Sequence, residues 1–214
     1  MLKKNLVLFF IFMPFSGYCV DNCLRFQYDV DVNVEQAEDV VEIEKSSENL
    51  SGELGHTLSN RSCNYNMLFI NVRVPDGYCV SLRSINMKIN QNFNIVLDKR
   101  LKEGSCAYNL VMKHEKDHMN VTKKVLDDNM DNIKNALKKS MKNLYPVFVE
   151  NTEKNNDIES VIVEKIENSK FMKKIKEQVE NETQKESNNI DTRGDDYELW
   201  RCKDYMKEME EFYK

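Results

Sequence analysis

The amino-acid sequence predicts an α+β fold in which a small antiparallel sheet packs on a long helix, with additional helices toward the C-terminus. The first observation is that residues 65–97 alternate β-branched or aromatic residues with polar ones around a Pro-Asp-Gly turn. The second is that residues 106–144 contain neither Gly nor Pro and carry apolar residues at intervals of three and four. With 214 residues, the chain has room for one domain and an appendage rather than for two globular domains.

Period-two patterning identifies the strands. Residues 65–74 and 78–89 form a predicted hairpin, because Pro75 presets the turn and Gly77 accepts a positive φ angle. A third strand is predicted over residues 94–97, after the polar residues 90–92. The ordered part of the chain is therefore expected to open with a small antiparallel sheet.

The long helix is predicted to begin at Cys106, after Gly104 and Ser105, and to end before Pro146. One face of it carries apolar residues at helical spacing: Leu126, Met130, Ile133, Leu137, Met141 and Leu144. A second helix is predicted over residues 158–186, with an interruption near Asn168. Residues 188–194 predict a turn, and residues 197–213 predict a short terminal helix.

The N-terminus has the pattern of a secretory signal peptide. Lys3 and Lys4 precede an apolar run over residues 6–13, and Pro14 and Gly17 follow it. The run is shorter than the roughly 20 residues that a membrane-spanning helix needs. We interpret residues 1–19 as a cleaved signal peptide, with an uncleaved anchor as the alternative. Cleavage leaves no stable membrane span and predicts a secreted or periplasmic protein.

Residues 20–62 are predicted to form a flexible acidic arm, which precedes the ordered domain of residues 63–214. Between residues 29 and 60 there are nine acidic residues and a single basic one, Lys45. Such a stretch repels itself and buries little apolar surface. His56 lies in this arm, and we interpret it as a solvated loop histidine rather than as a metal ligand.

The charge balance argues against nucleic acid as a partner. The chain has 31 Lys and Arg residues against 36 Asp and Glu residues, a net charge of -5. It therefore lacks the basic field that gathers phosphate backbones. The sequence does not determine the oligomeric state.

Export would place the cysteines in an oxidising compartment, where they tend to form disulfides. After cleavage five cysteines remain, at positions 23, 63, 79, 106 and 202. We expect two disulfides among Cys63, Cys79, Cys106 and Cys202, with Cys79–Cys106 as the first choice and Cys23 unpaired. The connectivity stays open, because four cysteines allow three pairings.

The segment His114-Glu115-Lys116-Asp117-His118 is an HExxH motif inside the predicted long helix. Two histidines four residues apart project from one helix face and can bind one metal ion, while Glu115 can take a proton from metal-bound water. Zinc is the expected ion, because two imidazoles, an oxygen ligand and a water make an open tetrahedral site. The alternative is that both histidines are neutral core residues with hydrogen-bond partners.

A third ligand is not evident near the motif, because no histidine follows it in the sequence. A carboxylate from another element would have to complete the site, and the candidates are Asp191, Glu186 and Glu150. We rank Asp191 slightly first. Its alternative role is to cap the helix that follows it.

The motif resembles one found in uncharacterised secreted bacterial HExxH proteins, which are similar to a domain-of-unknown-function family of predicted zinc-dependent proteases. The resemblance extends over residues 63–202. It rests on Tyr78-Cys79, the strands through Leu97-Asp98, Gly104-Ser105-Cys106-Ala107-Tyr108 leading into the HExxH motif, and Ile190-Asp191-Thr192 with Tyr197 and Cys202. It implies export and a zinc-dependent peptidase activity.

The sequence thus favours a secreted zinc-dependent metallopeptidase with a peptide or protein as substrate. His114 and His118 would bind Zn2+, and Glu115 would be the catalytic base. An edge strand, for which we take residues 94–97, would align an extended substrate. The alternative is a non-enzymatic envelope or secreted interaction protein with a structural or vestigial metal site.

Overall fold

A computed structural model of the chain describes residues 23–46, 54–142, 144, 146–150, 158–192 and 201–203. The elements in chain order are β1 (Asp31–Gln36), β2 (Val40–Lys45), β3 (Gly55–Val74), β4 (Gly77–Leu97), α1 (Cys106–Met141), β5 (Val147–Glu150), α2 (Ile158–Glu167) and α3 (Lys170–Thr192). This mixture of helices and strands confirms the α+β class. The predicted signal peptide lies outside the described residues, as does the predicted terminal helix apart from residues 201–203.

Strand β4 is the centre of the sheet. Strand β3 pairs with one side of it antiparallel, while the other side pairs with β1 and β2 in parallel and with β5 antiparallel. The sheet is therefore mixed, and the prediction of an antiparallel sheet is wrong. The error arose because β1 and β2 come from the segment that was predicted to be a flexible arm.

The acidic segment contributes two strands, and the apolar residues of the first one pack against the core. On β1, Val32 and Val34 pack beside the buried Ile85 and Met87 of β4, while the acidic neighbours point outward. Strand β3 begins at Gly55, so residue 63 is not a boundary. The prediction of a flexible arm is wrong for these strands. On β1 the partial burial of alternate valines offsets the charge repulsion of the exposed face, whereas β2 is exposed throughout and is held by its backbone pairing with β4.

The β3–β4 hairpin has the predicted position but a different turn geometry. Asp76, not Gly77, has the positive φ angle, at 70°, and Asp is one of the few residues that tolerates this conformation. Gly77 is needed for space, since a Cβ there would lie 2.1 Å from the carbonyl oxygen of Val149 on β5. Residues 94–97 continue β4 rather than forming a separate strand.

Helix α1 begins where its N-cap is satisfied. The Oγ atom of Ser105 accepts a hydrogen bond of 3.2 Å from the backbone N–H of Tyr108, which is a standard N-cap contact. The helix packs on the sheet through two apolar clusters. The smaller cluster lies at the end of β4 nearest the HExxH motif and consists of Ile95, Leu97, Leu101, Ala107, Val111 and Met112.

Helices α2 and α3 occupy the region predicted as one interrupted helix, and the break falls at residues 168–169 as expected. Helix α3 extends to Thr192, so most of the turn predicted over residues 188–194 is helical. No helix among the described residues has the length and apolar character needed to span a membrane.

Helices α1 and α3 lie antiparallel, as their polar contacts show. Ser140 of α1 contacts Ser169, and Asn129 of α1 donates a hydrogen bond of 2.6 Å to Glu182 of α3. The contact residues on α1 are 11 apart, which is about three turns, so they lie on the same side of that helix. A further step of 11 residues leads from Asn129 to His118. The antiparallel packing therefore brings the C-terminal end of α3 to the HExxH motif.

Two disulfides are formed, Cys23–Cys79 and Cys106–Cys202. The preferred Cys79–Cys106 pairing is wrong, and so is the prediction that Cys23 is unpaired, because Cys63 is the free cysteine among the described residues. Cys79 lies at the start of β4 and Cys106 lies beyond its end. A strand of 21 residues spans on the order of 70 Å at about 3.3 Å per residue, which rules out a bridge between the two.

Candidate metal centre

The two histidines of the motif converge on one point beside α1. The Nε2 atoms of His114 and His118 lie 3.1 Å apart. Their rings are nearly perpendicular, with an angle of 80° between the planes. The two side chains are only 16% and 17% exposed. Residues four apart on a helix share one face, which explains the convergence.

Asp191, on the last turn of α3, completes a three-residue group with these histidines. Its Oδ1 atom lies 3.0 Å from the Nε2 atom of His118 and 3.5 Å from that of His114. Ile190 beside it is buried and anchors the end of α3, whereas the Asp191 side chain is 56% exposed. The group is therefore open to solvent on the side of Asp191.

The three atoms have the spacing of three corners of a tetrahedral zinc site. Zinc binds histidine nitrogen and carboxylate oxygen at about 2.0–2.2 Å, so neighbouring ligand atoms should lie about 3.3 Å apart. The observed separations are 3.0, 3.1 and 3.5 Å. All three atoms can present lone pairs to one another, and a shared proton or a cation would remove the repulsion between them. The donor set therefore fits a divalent cation with one corner left to solvent.

Glu115 lies beside this group and faces strand β3. It is 3% exposed, and on a helix it is rotated by about 60° from His118. Its Oε2 atom lies 2.9 Å from the hydroxyl of Thr57, and the same hydroxyl lies 3.0 Å from the backbone oxygen of Glu115. A Cβ atom at Gly55 would lie 3.0 Å from Oε1 of Glu115 and 2.8 Å from Val111. The first residues of β3 therefore lie close around the Glu115 carboxyl group.

Burial raises the pKa of the Glu115 carboxyl group above its ordinary value. The hydrogen bond from Thr57 and the nearby histidines, His114, His118 and His56, act in the opposite direction.

His56, which the sequence placed in a flexible loop, lies on β3 opposite Val96. Successive residues of a strand point to opposite faces. Because Thr57 points to α1, His56 points to the other face of the sheet. His56 is therefore an electrostatic neighbour of Glu115 and not a member of the three-residue group.

The other two predicted ligand candidates lie elsewhere. Glu186 contacts Asn189 on its own helix and is not among the three residues whose ligand atoms converge. Glu150 pairs with Gly77, at the end of β4 remote from the motif. Neither alternative therefore joins the three-residue group in the described part of the chain, and Asp191 is the candidate that the fold brings to the histidines.

Sequence reasoning missed Thr57 and Gly55. Both residues belong to the acidic stretch that was predicted to be flexible, so nothing in their local pattern connected them with Glu115. The glycine at position 55 was a local hint that the backbone approaches another element closely, but a single glycine is a weak signal. The contact depends on the register of β3 against β4, which local sequence does not specify.

One ring nitrogen of the site lacks a partner. The Nδ1 atom of His114 is buried and has no hydrogen-bond partner among the described residues. Histidine ligands usually donate this second N–H to a carboxylate or carbonyl group, which orients the ring. In this site the orientation of His114 comes from helix geometry and packing.

Comparison with known proteins does not assign a family. No family model, no curated protein and no solved structure matches the chain. The geometry of the site is therefore the basis for a functional proposal.

Proposed function

We propose that this protein is an exported zinc-dependent peptidase in which His114, His118 and Asp191 bind the metal ion. The observation that supports this most strongly is the convergence of two Nε2 atoms and one carboxylate oxygen at 3.0–3.5 Å from one another. The similarity of the HExxH motif to that of predicted zinc-dependent proteases favours the same activity.

The side chains around the site suggest separate roles. When bound, zinc would supply Lewis-acid polarisation of a peptide carbonyl and would lower the pKa of a water molecule. Glu115 would accept the proton of the attacking water at its carboxylate and return it to the leaving amine as the C–N bond breaks. The reaction would consume one water molecule for each peptide bond cleaved, and its products would be a new carboxyl group and a new amino group.

An extended peptide is the substrate that suits the neighbouring strand. In the described part of the chain β3 pairs only with β4, and no other strand lies along its second edge. The segment beside Glu115, residues 55–60, belongs to this edge, whereas the previously favoured residues 94–97 are paired on both sides. A substrate strand that pairs with this edge would be held next to the site.

Export is supported by the cysteines. Both disulfides would be reduced in most cytosols and would persist in an oxidising compartment. The N-terminal pattern of basic residues followed by an apolar run supports the same localisation.

The test combines metal analysis with hydrolysis. Purified protein should contain about one zinc ion per chain, and His118→Ala should abolish this. A fluorogenic peptide library should be cleaved by the wild type, and cleavage should stop on chelation and return with zinc. Glu115→Gln should keep the zinc and lower kcat by at least about 100-fold.

Two results would reject the proposal at different points. A protein that takes up no zinc at micromolar concentration has no metal site of this kind. A protein that binds zinc but cleaves no peptide, with the wild type behaving like Glu115→Gln, is the non-enzymatic interaction protein that the sequence also allowed.

A further inference from the structure

Strand β3 carries two features at its start that act on Glu115 and that no sequence motif marks. Gly55 and Thr57 are two residues apart, so both point to the face of the sheet that α1 covers. Thr57 pairs with the fully buried Ile95, which belongs to the apolar cluster under the motif. Both residues therefore lie on the face of the sheet that packs against the helix carrying the histidines.

The hydroxyl of Thr57 lies 2.9 Å from the Glu115 carboxylate and 3.0 Å from the Glu115 backbone oxygen, so its single hydrogen is shared between two acceptors of the same residue. A buried carboxylate oxygen without a donor is costly, so removal of this hydroxyl would favour another rotamer or a protonated acid. Gly55 acts sterically, because its missing side chain leaves room for Oε1 and for Val111. Donor and space together select one placement of the carboxyl group.

We propose that Thr57 is a positioning residue, which holds the Glu115 carboxylate in the orientation required beside the metal centre. This inference rests on the proposed function for its catalytic consequence, although the orientation itself can be measured without catalysis. Thr57 transfers no proton in this scheme. Valine has the same shape as threonine and lacks the hydroxyl, so it removes the donor with little change in packing.

The hydrogen bond of Thr122 provides a matched control. Thr122 is buried, whereas Thr57 is half-buried, and the Thr122 hydroxyl also donates a hydrogen bond of 2.9 Å, to the backbone oxygen of His118 one turn earlier on α1. Thr122→Val therefore removes a buried hydroxyl near the site without touching Glu115. If loss of any hydroxyl in this region changed the metal site, Thr57→Val and Thr122→Val should show the same change.

The experiment loads four variants with Co2+ in place of zinc and records the visible absorption bands, which report the surroundings of the metal ion. The variants are Thr57→Val, Thr57→Ser, Thr122→Val and Glu115→Gln, each compared with the wild type. We expect the Co2+ affinity of all four to stay within about threefold of wild type, because none of the substitutions changes a ligand or a hydrogen-bond partner of a ligand ring. The bands of Thr57→Val should shift in the same direction as those of Glu115→Gln. Those of Thr57→Ser and Thr122→Val should match the wild type.

A second arm measures peptide cleavage by the zinc-loaded proteins. Thr57→Val should lower kcat by at least about tenfold with little change in KM, and Thr57→Ser should restore most of it. If the wild type cleaves no peptide, the proposed function fails, and the Co2+ bands alone decide the role of Thr57.

Three results would overturn the positioning role. One is a Thr57→Val spectrum equal to wild type, and another is an equal change in Thr57→Val and Thr122→Val without rescue by serine. The third is a Glu115→Gln spectrum equal to wild type, because the carboxyl group would then not face the metal ion at all.

Discussion

The Oδ1 atom of Asp191 lies 3.0 Å from the Nε2 atom of His118, although the two residues belong to different helices of the fold. This contact lies on the same side of α1 as the Asn129–Glu182 and Ser140–Ser169 contacts. The antiparallel packing of α1 and α3 therefore sets which carboxylate reaches the motif. Beyond it, the Cys106–Cys202 disulfide joins the start of α1 to the segment after α3.

Asp191→Asn should weaken zinc binding by at least about 100-fold. The substitution keeps the shape of the side chain and removes the anionic oxygen ligand, whose loss should exceed the 10–100-fold effects of residues that only orient ligands. Isothermal titration with zinc measures the affinity. Glu186→Gln, near the same end of α3 but outside the three-residue group, is the control and should bind zinc like the wild type. Equal affinities for Asp191→Asn and the wild type would remove Asp191 from the site.

Loss of the Cys106–Cys202 disulfide should affect both stability and zinc affinity. Cys106→Ser with Cys202→Ser opens a loop with a sequence separation of 96, which should lower the free energy of unfolding by about 4.7 kcal/mol. Zinc affinity should fall by about tenfold, because the segment after Asp191 is no longer tied to α1. Urea unfolding and zinc titration measure the two effects.

The other disulfide provides the control for this prediction. Cys23→Ser with Cys79→Ser opens a loop with a separation of 56, so its effect on unfolding should be similar, about 4 kcal/mol. Its zinc affinity should not change, because Cys79 lies at the remote end of β4. A similar loss of zinc affinity in both double variants would mean that global destabilisation, not local tethering, is the cause.

Gly55→Ala should destabilise the protein by about 1–3 kcal/mol, which is typical of an overpacked core. The added methyl group would lie 2.8 Å from the Cγ1 atom of Val111 and would also press on Glu115. Urea unfolding measures the change, and Leu58→Ala, at a position that is 55% exposed, should cost less than about 0.5 kcal/mol. If the contact with Val111 is the cause, Val111→Ala in the Gly55→Ala background should cost less than in the wild type.

Cys63 should react slowly with alkylating reagents in the folded protein. Burial raises the pKa of its thiol, and the neighbouring Glu167 acts in the same direction, so little thiolate is present at pH 8. Iodoacetamide labelling followed by mass spectrometry should be at least about tenfold slower in buffer than in 8 M urea. Cys63→Ser should remove this slow site, and fast labelling of Cys63 in the folded state would contradict the burial.

The parts of the fold that the sequence predicted are those with strong local periodicity. The helix that carries His114 and His118, the β3–β4 hairpin and the break between α2 and α3 all follow from patterns within about 40 residues. Strand β1 was missed because its charged residues concealed two half-buried valines, and β2 was missed because all of its residues are exposed and only its pairing with β4 defines it. The disulfides were mispredicted because the length of β4 separates Cys79 from Cys106, and that length was not evident from its polar residues.

The sequence by itself determined that two imidazoles and a glutamate share one part of a helix, because the 3.6-residue period places them there wherever the helix packs. Tertiary structure alone decided that Asp191 joins them and that Thr57 contacts Glu115. Both contacts depend on how α3 and β3 pack against α1 and β4. That packing reflects the burial of apolar surface over the whole fold, which no local pattern of residues encodes.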